Sequence, residues 1–261
     1  MTLSKQDLKF LLRSRSVQFM RAARFGNTGP LAQCNWHGRT LRYRPGTSDP
    51  HLIYKILLRA GKKGEYAFPV TLHANTIFDI GANIGAASVL LAERFPQARI
   101  YAFEPMADNF ELLKKNIEGL ANVTPVQLAL SDSSGGRELI HSPDKFNLGG
   151  YSFFQHGAPK DTPRTQVATA TPAEFMREHR IEGVDLIKVD TEGAEYDILT
   201  SFDSAVLSKV KWIIGELHGE RDFELLAYLS QWFDISMKKS FRKPLFIFNA
   251  CNKNAAAQVL A

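Results

Sequence analysis

From residue 76 onward the chain alternates short apolar runs with segments of helical periodicity. Thr76–Gly81 (TIFDIG) reads as a strand, and Ala86–Phe95 as the helix that follows it. Arg99–Pro105 is the next strand. Asp108, three residues before Glu111, marks a capping-box-like start to a helix running to about Glu118. Val123–Leu130, Val184–Val189 and Lys211–Leu217 are further strands, the last two followed by helical segments near Tyr196–Phe202 and Asp222–Trp232. Such alternation predicts a parallel sheet covered on both faces. At the end, Phe233–Lys238 and Leu245–Ala250 alternate like strands with only a short link containing Lys243-Pro244, so an antiparallel hairpin at the sheet edge is expected.

Two regions break the pattern. Residues 133–170 carry paired glycines, several prolines and three short strand-like pieces (Glu138–His141, Tyr151–Phe154, Gln166–Thr169), which reads as an insertion beside the sheet. Its aromatics, Phe146, Tyr151, Phe153 and Phe154, suit either stacking on a sugar ring or anchoring the loop. Residues 27–69 form a leading subdomain in which Cys34–Tyr43 suits a hairpin and Leu52–Ala60 a helix.

Charge sharpens the picture. Residues 1–26 hold six basic side chains against one acid, Asp7, while the other 235 residues hold 26 of each sign. General binding of a polyanion such as nucleic acid is therefore not expected of the bulk of the chain. The basic leader, with Leu8, Leu11, Leu12 and Met20 at partial helical spacing, reads as a helix. It either packs on the body with its charges in water or rests on an anionic membrane as a peripheral contact. A composition of 44% hydrophobic and 23% charged residues excludes disorder, collagen and coiled coil for the whole chain. Two cysteines without a CxxC point to neither a disulfide framework nor a zinc knuckle, and the first residues lack a secretory signal, so a cytoplasmic protein is expected.

Four motifs carry chemistry. Asp79-Ile-Gly81-Ala-Asn83-Ile-Gly85-Ala86 ends a strand and opens a helix, where a nucleotide-like ligand can approach backbone N–H groups. In the dinucleotide fingerprint the middle position is a glycine that admits a pyrophosphate; Asn83 stands there instead, which favours an adenosine ligand without a diphosphate, such as S-adenosylmethionine. Glu104 closes the next strand at an offset suited to ribose hydroxyls, and Asp132 follows the third strand, near the adenine edge in that layout. Asp190, Glu192 and Glu195 crowd the carboxyl end of the VDLIKV strand, and Glu216 and His218 end the one after it.

Taken together, Asp79–Gly85, Phe103-Glu-Pro105, Ala129–Asp132 and Ile187–Glu195 resemble the FkbM family of methyltransferases, over roughly residues 65–220. Asn147–Ser152 and the pair Glu65-Tyr66 resemble further family features. The resemblance implies an α/β fold, a Rossmann-like class I methyltransferase sheet of seven mostly parallel strands with a C-terminal antiparallel hairpin. The pattern along the chain divides it into an N-terminal helical cap, residues 1–69, and a donor-binding domain, residues 70–261 with the insertion 133–170; the resemblance implies S-adenosylmethionine as donor and a sugar, glycan or natural-product hydroxyl as acceptor. Asp79, Gly81, Asn83, Gly85, Glu104 and Asp132 fall to the donor, and Asp190, Glu192 and Glu195 to the acceptor side. Asp190 or His218 is the expected base, with Glu192 orienting the acceptor. A carboxylate cluster with a histidine also suits Mg²⁺, though the spacing does not single out a metal site. The competing readings are a nicotinamide dehydrogenase, which Asn83 and the acidic motif disfavour; a nucleic-acid methyltransferase, which the neutral body disfavours; and a catalytically silent binding or scaffold module on the same fold.

Overall fold

The computed structural model describes residues 3–25, 29–59, 66–142, 146–154, 159, 161–219, 221–239 and 246–255. Glu65 and the Lys243-Pro244 link lie outside them. The leader forms two helices rather than one, α1 (Lys5–Ser14) and α2 (Val17–Phe25). Ser4 and Asp7 make a reciprocal capping box at the start of α1, and Arg15, in the left-handed conformation (φ 51°), ends it. Asp7 turns inward and pairs with Arg24 of α2 at 2.6 Å, holding the two helices together. Phe10 and Phe19 are buried, with Phe10 edge-on to Tyr54 at 4.5 Å, so the pair is docked on the body.

Strands β1 (Ala32–Trp36) and β2 (Arg39–Tyr43) form the expected hairpin around His37-Gly38. Helix α3 (Asp49–Ile53) continues into a π-helical turn, Tyr54–Leu58. These first elements share one apolar core with Ile77, Ile84, Ala87, Leu91 and Leu113 on one face of the main sheet.

That sheet contains β3 (Thr76–Ile80), β4 (Arg99–Phe103), β5 (Val123–Val126), β9 (Leu186–Val189), β10 (Trp212–Leu217), β11 (Phe233–Lys239) and β12 (Phe246–Asn252). Their order is β11-β12-β10-β9-β3-β4-β5, with β12 antiparallel to both neighbours and the other pairings parallel. Helices α4 (Ala86–Arg94), α5 (Ala107–Asn116), α7 (Glu195–Thr200), α8 (Ser204–Leu207) and α9 (Asp222–Leu229) follow the strands. The topology reverses between β3 and β9, which opens a crevice beyond their carboxyl ends.

Further sequence expectations change. The third strand stops at Val126: Ala129–Leu130 (β6) instead joins β7 (Gly135–Ile140) and β8 (Arg164–Ala170) in a second sheet of order β6-β8-β7. The Tyr151–Phe154 piece contributes only a bridge between Ser152 and Ile140. Helix α5 is entered from Met106, so Asp108 lies inside its first turn and makes no cap. An unpredicted helix, α6 (Pro172–Glu178), is capped by Thr171 and Glu174. Among the described residues no helix is long and apolar enough to cross a membrane.

Gly215 of β10 sits where a Cβ would lie 2.6 Å from both the Phe248 ring and the Val189 carbonyl. Gly215→Ala should therefore destabilise the fold by about 1–3 kcal/mol in denaturant unfolding, because the ring or the end of β9 must move. Unchanged stability would contradict that packing.

Candidate active site

The crevice is a cavity of about 690 Å³ walled by three parts of the chain. The sheet supplies Gly81, Asn83, Glu104, Lys188, Asp190 and Glu216; the insertion supplies Asn147, Tyr151 and Phe153; the N-terminal segment supplies Ala22, Ser48, Lys55 and Tyr66. The Ser48 N–H donates to the Phe146 carbonyl at 2.7 Å, joining the last two walls. Three of the four insertion aromatics, Phe146, Tyr151 and Phe153, line the cavity, while Phe154 does not and packs against the core cluster that includes Phe78 and Ile187.

On the β3 side, Gly81 adopts φ 75°, and a Cβ there would collide with the Asp190 carbonyl. Glycine is thus required both for the turn and for the close approach of β3 and β9. Asn83, also at positive φ (52°), donates its N–H to Glu104 Oε2 at 2.9 Å. The other Glu104 oxygen accepts from the Met106 N–H at 2.9 Å, so one carboxylate ties together the turns after β3 and β4. Burial drives the Glu104 pKa up to about 7, only partly offset by these N–H donors, the Asn109 side chain and Lys188.

Asp79 and Gly85 stand behind the turn and do not line the cavity. Asp79 is fully buried and accepts from Ser88 Oγ at 2.6 Å, while Gly85 (φ 86°) N-caps α4. Asp132 departs furthest from its expected place by the adenine. Its side chain is 52% exposed and pairs with Arg137 at 3.1 Å, outside the cavity wall, because the chain has already turned away from the main sheet.

On the β9 side, Asp190 and Glu192 reach the cavity and Glu195 does not. Glu195 is buried, accepts the N–H groups of Thr191 (2.8 Å) and Gly193 (3.0 Å), and takes a 3.0 Å bond from His218 Nδ1. It holds a turn in which Glu192 has the costly φ of 54°, and Ser152 Oγ donates to the Glu192 carbonyl at 2.6 Å. Tyr66 donates its hydroxyl to Asp190 Oδ2 at 3.2 Å. Burial would raise the Asp190 pKa, but Lys188, His218 and Lys55 outweigh it and hold the carboxyl below its ordinary range.

His218 is set back from the cavity, its Nε2 lying 3.7 Å from Asp190 and 3.6 Å from Glu192. Burial alone would lower its pKa, yet the bond to Glu195 and the charges of Glu195, Asp190 and Glu192 raise it to about 10. A ring held protonated in this way donates hydrogen bonds rather than accepting a proton. Asp190, Glu216 and His218 each bring one ligating atom within 4.8 Å of the other two, a spacing that a divalent ion can bridge.

Sequence reasoning passed over Lys188. Buried on β9, it donates to the carbonyls of Gly81 (2.6 Å) and Ile80 (3.2 Å) and pairs with Asp79 at 3.3 Å. Burial pushes its pKa down, but Asp79 and Asp190 more than restore it, so the ammonium stays charged. The signal was present: a lysine inside an apolar parallel strand must find partners.

The seven-stranded order and the crevice at its switch point define a Rossmann-like, class I methyltransferase fold. The Methyltransferase FkbM domain matches residues 79–242, and the chain belongs to that family. It is 29% identical over 171 residues to methyltransferase sdnD of Sordaria araneosa, covering 54% of this chain and 65% of that one. It is 28% identical over 188 residues to the hexuronic acid methyltransferase AglP of Haloferax volcanii, covering 72% and 67%. It is 28% identical over 179 residues to the AMB antimetabolite synthetase AmbE of Pseudomonas aeruginosa, covering 56% of this chain and 8% of that protein. The match thus spans less than two thirds of sdnD and a small part of AmbE.

The folded pKa of His218, near 10, lies above its ordinary 6.5. The protonated ring therefore stabilises the fold fully below pH 6.5, and that contribution is lost as the pH rises toward 10. Imidazole nitrogen NMR should find both ring nitrogens protonated at about pH 8, with Glu195→Gln bringing the titration down toward the neutral range. A neutral ring at that pH in the wild type would contradict the arrangement.

Proposed function

We propose that the chain transfers a methyl group from S-adenosylmethionine to a hydroxyl oxygen of a sugar, glycan or natural product. One observation carries this reading: the Gly81–Asn83 turn with Glu104, and the acids Asp190 and Glu192, open into the same cavity.

The residues fit the donor. Gly81 leaves the backbone bare, Glu104 offers a carboxylate to a vicinal diol, and Phe103, Leu128 and Leu130 supply apolar wall for a base. Asn83 Oδ1, buried and without a partner among the described residues, is an acceptor that a ligand N–H can satisfy. Bound there, the donor supplies an electrophilic methyl on a positively charged sulfur that is already a good leaving group. The protein's share of the work is alignment of the acceptor oxygen, with help for its departing proton.

Asp190 suits that task. It is ionised, fixed by the Tyr66 hydroxyl, and faces the cavity. It accepts the hydrogen bond of the acceptor hydroxyl and takes its proton as the new bond forms. The low pKa makes it a weak base but a well-populated carboxylate. Glu192 and Glu216 offer further acceptors to neighbouring hydroxyls, which favours a polyol. AglP, the relative described as a hexuronic acid methyltransferase, fits that acceptor class. The protonated His218, 3.7 Å from Asp190 and 3.6 Å from Glu192, balances their charges.

Asp190→Asn should lower turnover by on the order of a hundredfold or more while leaving S-adenosylhomocysteine binding intact, and a chelator should leave the wild-type rate unchanged. Wild-type turnover in the variant, or loss in chelator restored by Mg²⁺, would sink this mechanism.

Glu104 supplies a pH signature. Ribose hydroxyls bind its ionised form, so calorimetry should show S-adenosylhomocysteine affinity rising about tenfold between pH 6 and 8, with Glu104→Gln flattening the profile. Failure of the wild type to bind this nucleoside at either pH would favour a silent scaffold.

A further inference from the structure

The outer face of the N-terminal helix pair plays no part in the cavity. Helix α1 buries Asp7, Phe10 and Ser14. At about 100° per residue, Lys5, Leu8, Lys9 and Leu12 fall on the arc opposite those three. Leu12 is 66% exposed and Leu8 47%, with Leu3 at 49% and Val17 at 50% on either side. Four of the ten large apolar side chains exposed among the described residues thus lie between positions 3 and 17. Lys5, Lys9, Arg15 and Arg21 are exposed among them. The one acid of residues 1–26, Asp7, is turned inward onto Arg24, so it does not neutralise the outer face. The rest of the chain is balanced in charge, so the net charge of +5 is concentrated here.

We infer that this face, Leu8 and Leu12 with Lys5, Lys9, Val17 and Arg21, docks the protein on an anionic lipid surface. A second copy of the same face would set its cations against these, and a nucleic acid would leave leucines against phosphates. A bilayer satisfies both kinds of residue: leucines enter the boundary between headgroups and acyl chains, and the lysine and arginine stems reach back to lipid phosphates. The opposite side of α2 supplies Ala22 and Ala23 to the cavity wall. Docking through this helix pair therefore brings that wall toward the headgroups, where, on the methyl-transfer reading above, an acceptor carried on a lipid would be within reach.

The test is sedimentation of the full chain with vesicles of phosphatidylcholine alone or with about 30% phosphatidylglycerol, at low and high salt. Binding to the anionic vesicles, released by salt, is expected. Lys5→Gln/Lys9→Gln should weaken it roughly 30-fold, at about fivefold for each basic residue near the surface. Leu8→Ser/Leu12→Ser should weaken it about tenfold or more. Both pairs are exposed, and unchanged circular dichroism and melting temperature will establish that the variants remain folded. Equal binding to neutral vesicles, no binding by the folded wild type, or variants that bind like it would overturn the inference. So would a solution dimer that the leucine variant splits, which would give the face to a second copy.

Discussion

A single buried ammonium governs the geometry of the site. Lys188 Nζ reaches from β9 to the carbonyls of Ile80 and Gly81 and to Asp79, while Asp79 accepts from Ser88 on α4. Two strands and a helix are thereby joined at one point in the cavity floor. An unpaired ammonium there would cost several kcal/mol, so the charge is tolerable only with those partners in place. Gly81, whose carbonyl accepts from Lys188, has the Asp190 carbonyl where a Cβ would stand and cannot be another residue without parting the strands. The turn assigned to the donor and the strand end that presents Asp190 are thus held in fixed relation by the same contacts.

Above this floor, charge is arranged in opposed pairs. Glu104 is buried enough to sit near neutrality, whereas Asp190 is kept ionised by Lys188, His218 and Lys55. Two carboxylates of one cavity therefore titrate in different ranges, Glu104 near pH 7 and Asp190 below the ordinary carboxylate range. Glu195 and Glu192 illustrate the same division by position: three residues apart, one is spent on backbone N–H groups and His218, and the other reaches the cavity. The N-terminal segment and the insertion close over this floor, and neither wall is complete without the other, since Ser48 bonds to Phe146 across them.

Much of this was legible in the sequence because the main strands are short apolar runs buried on both faces, and such runs stand out against amphipathic helices. The terminal hairpin was legible from alternation and from the lack of a helix between its strands. Gly81, Asn83, Glu104, Asp190 and Glu192 could be placed at strand ends, and strand ends of a parallel sheet converge. What escaped depends on side-chain direction and on distant partners. Asp79 and Glu195 differ from Asp190 and Glu192 only in which way they face. Asp132 was misplaced because the chain leaves the main sheet after Val126, where the Leu128 N–H folds back onto the Val126 carbonyl. Tyr66, singled out in the sequence only through its likeness to a family feature, and Lys55 enter the site from more than 120 positions before Asp190, a separation across which no spacing rule operates.

In the proposed reading, one cavity seats a sulfonium nucleoside at the Gly81–Asn83 turn with its reactive carbon toward Asp190 and Glu192. A crystal structure of the protein soaked with S-adenosylhomocysteine measures this most directly. Ribose hydroxyls on the Glu104 carboxylate and a sulfur facing the Asp190–Glu192 wall are expected. A nucleoside bound elsewhere, or a sulfur turned away from those acids, would contradict that reading.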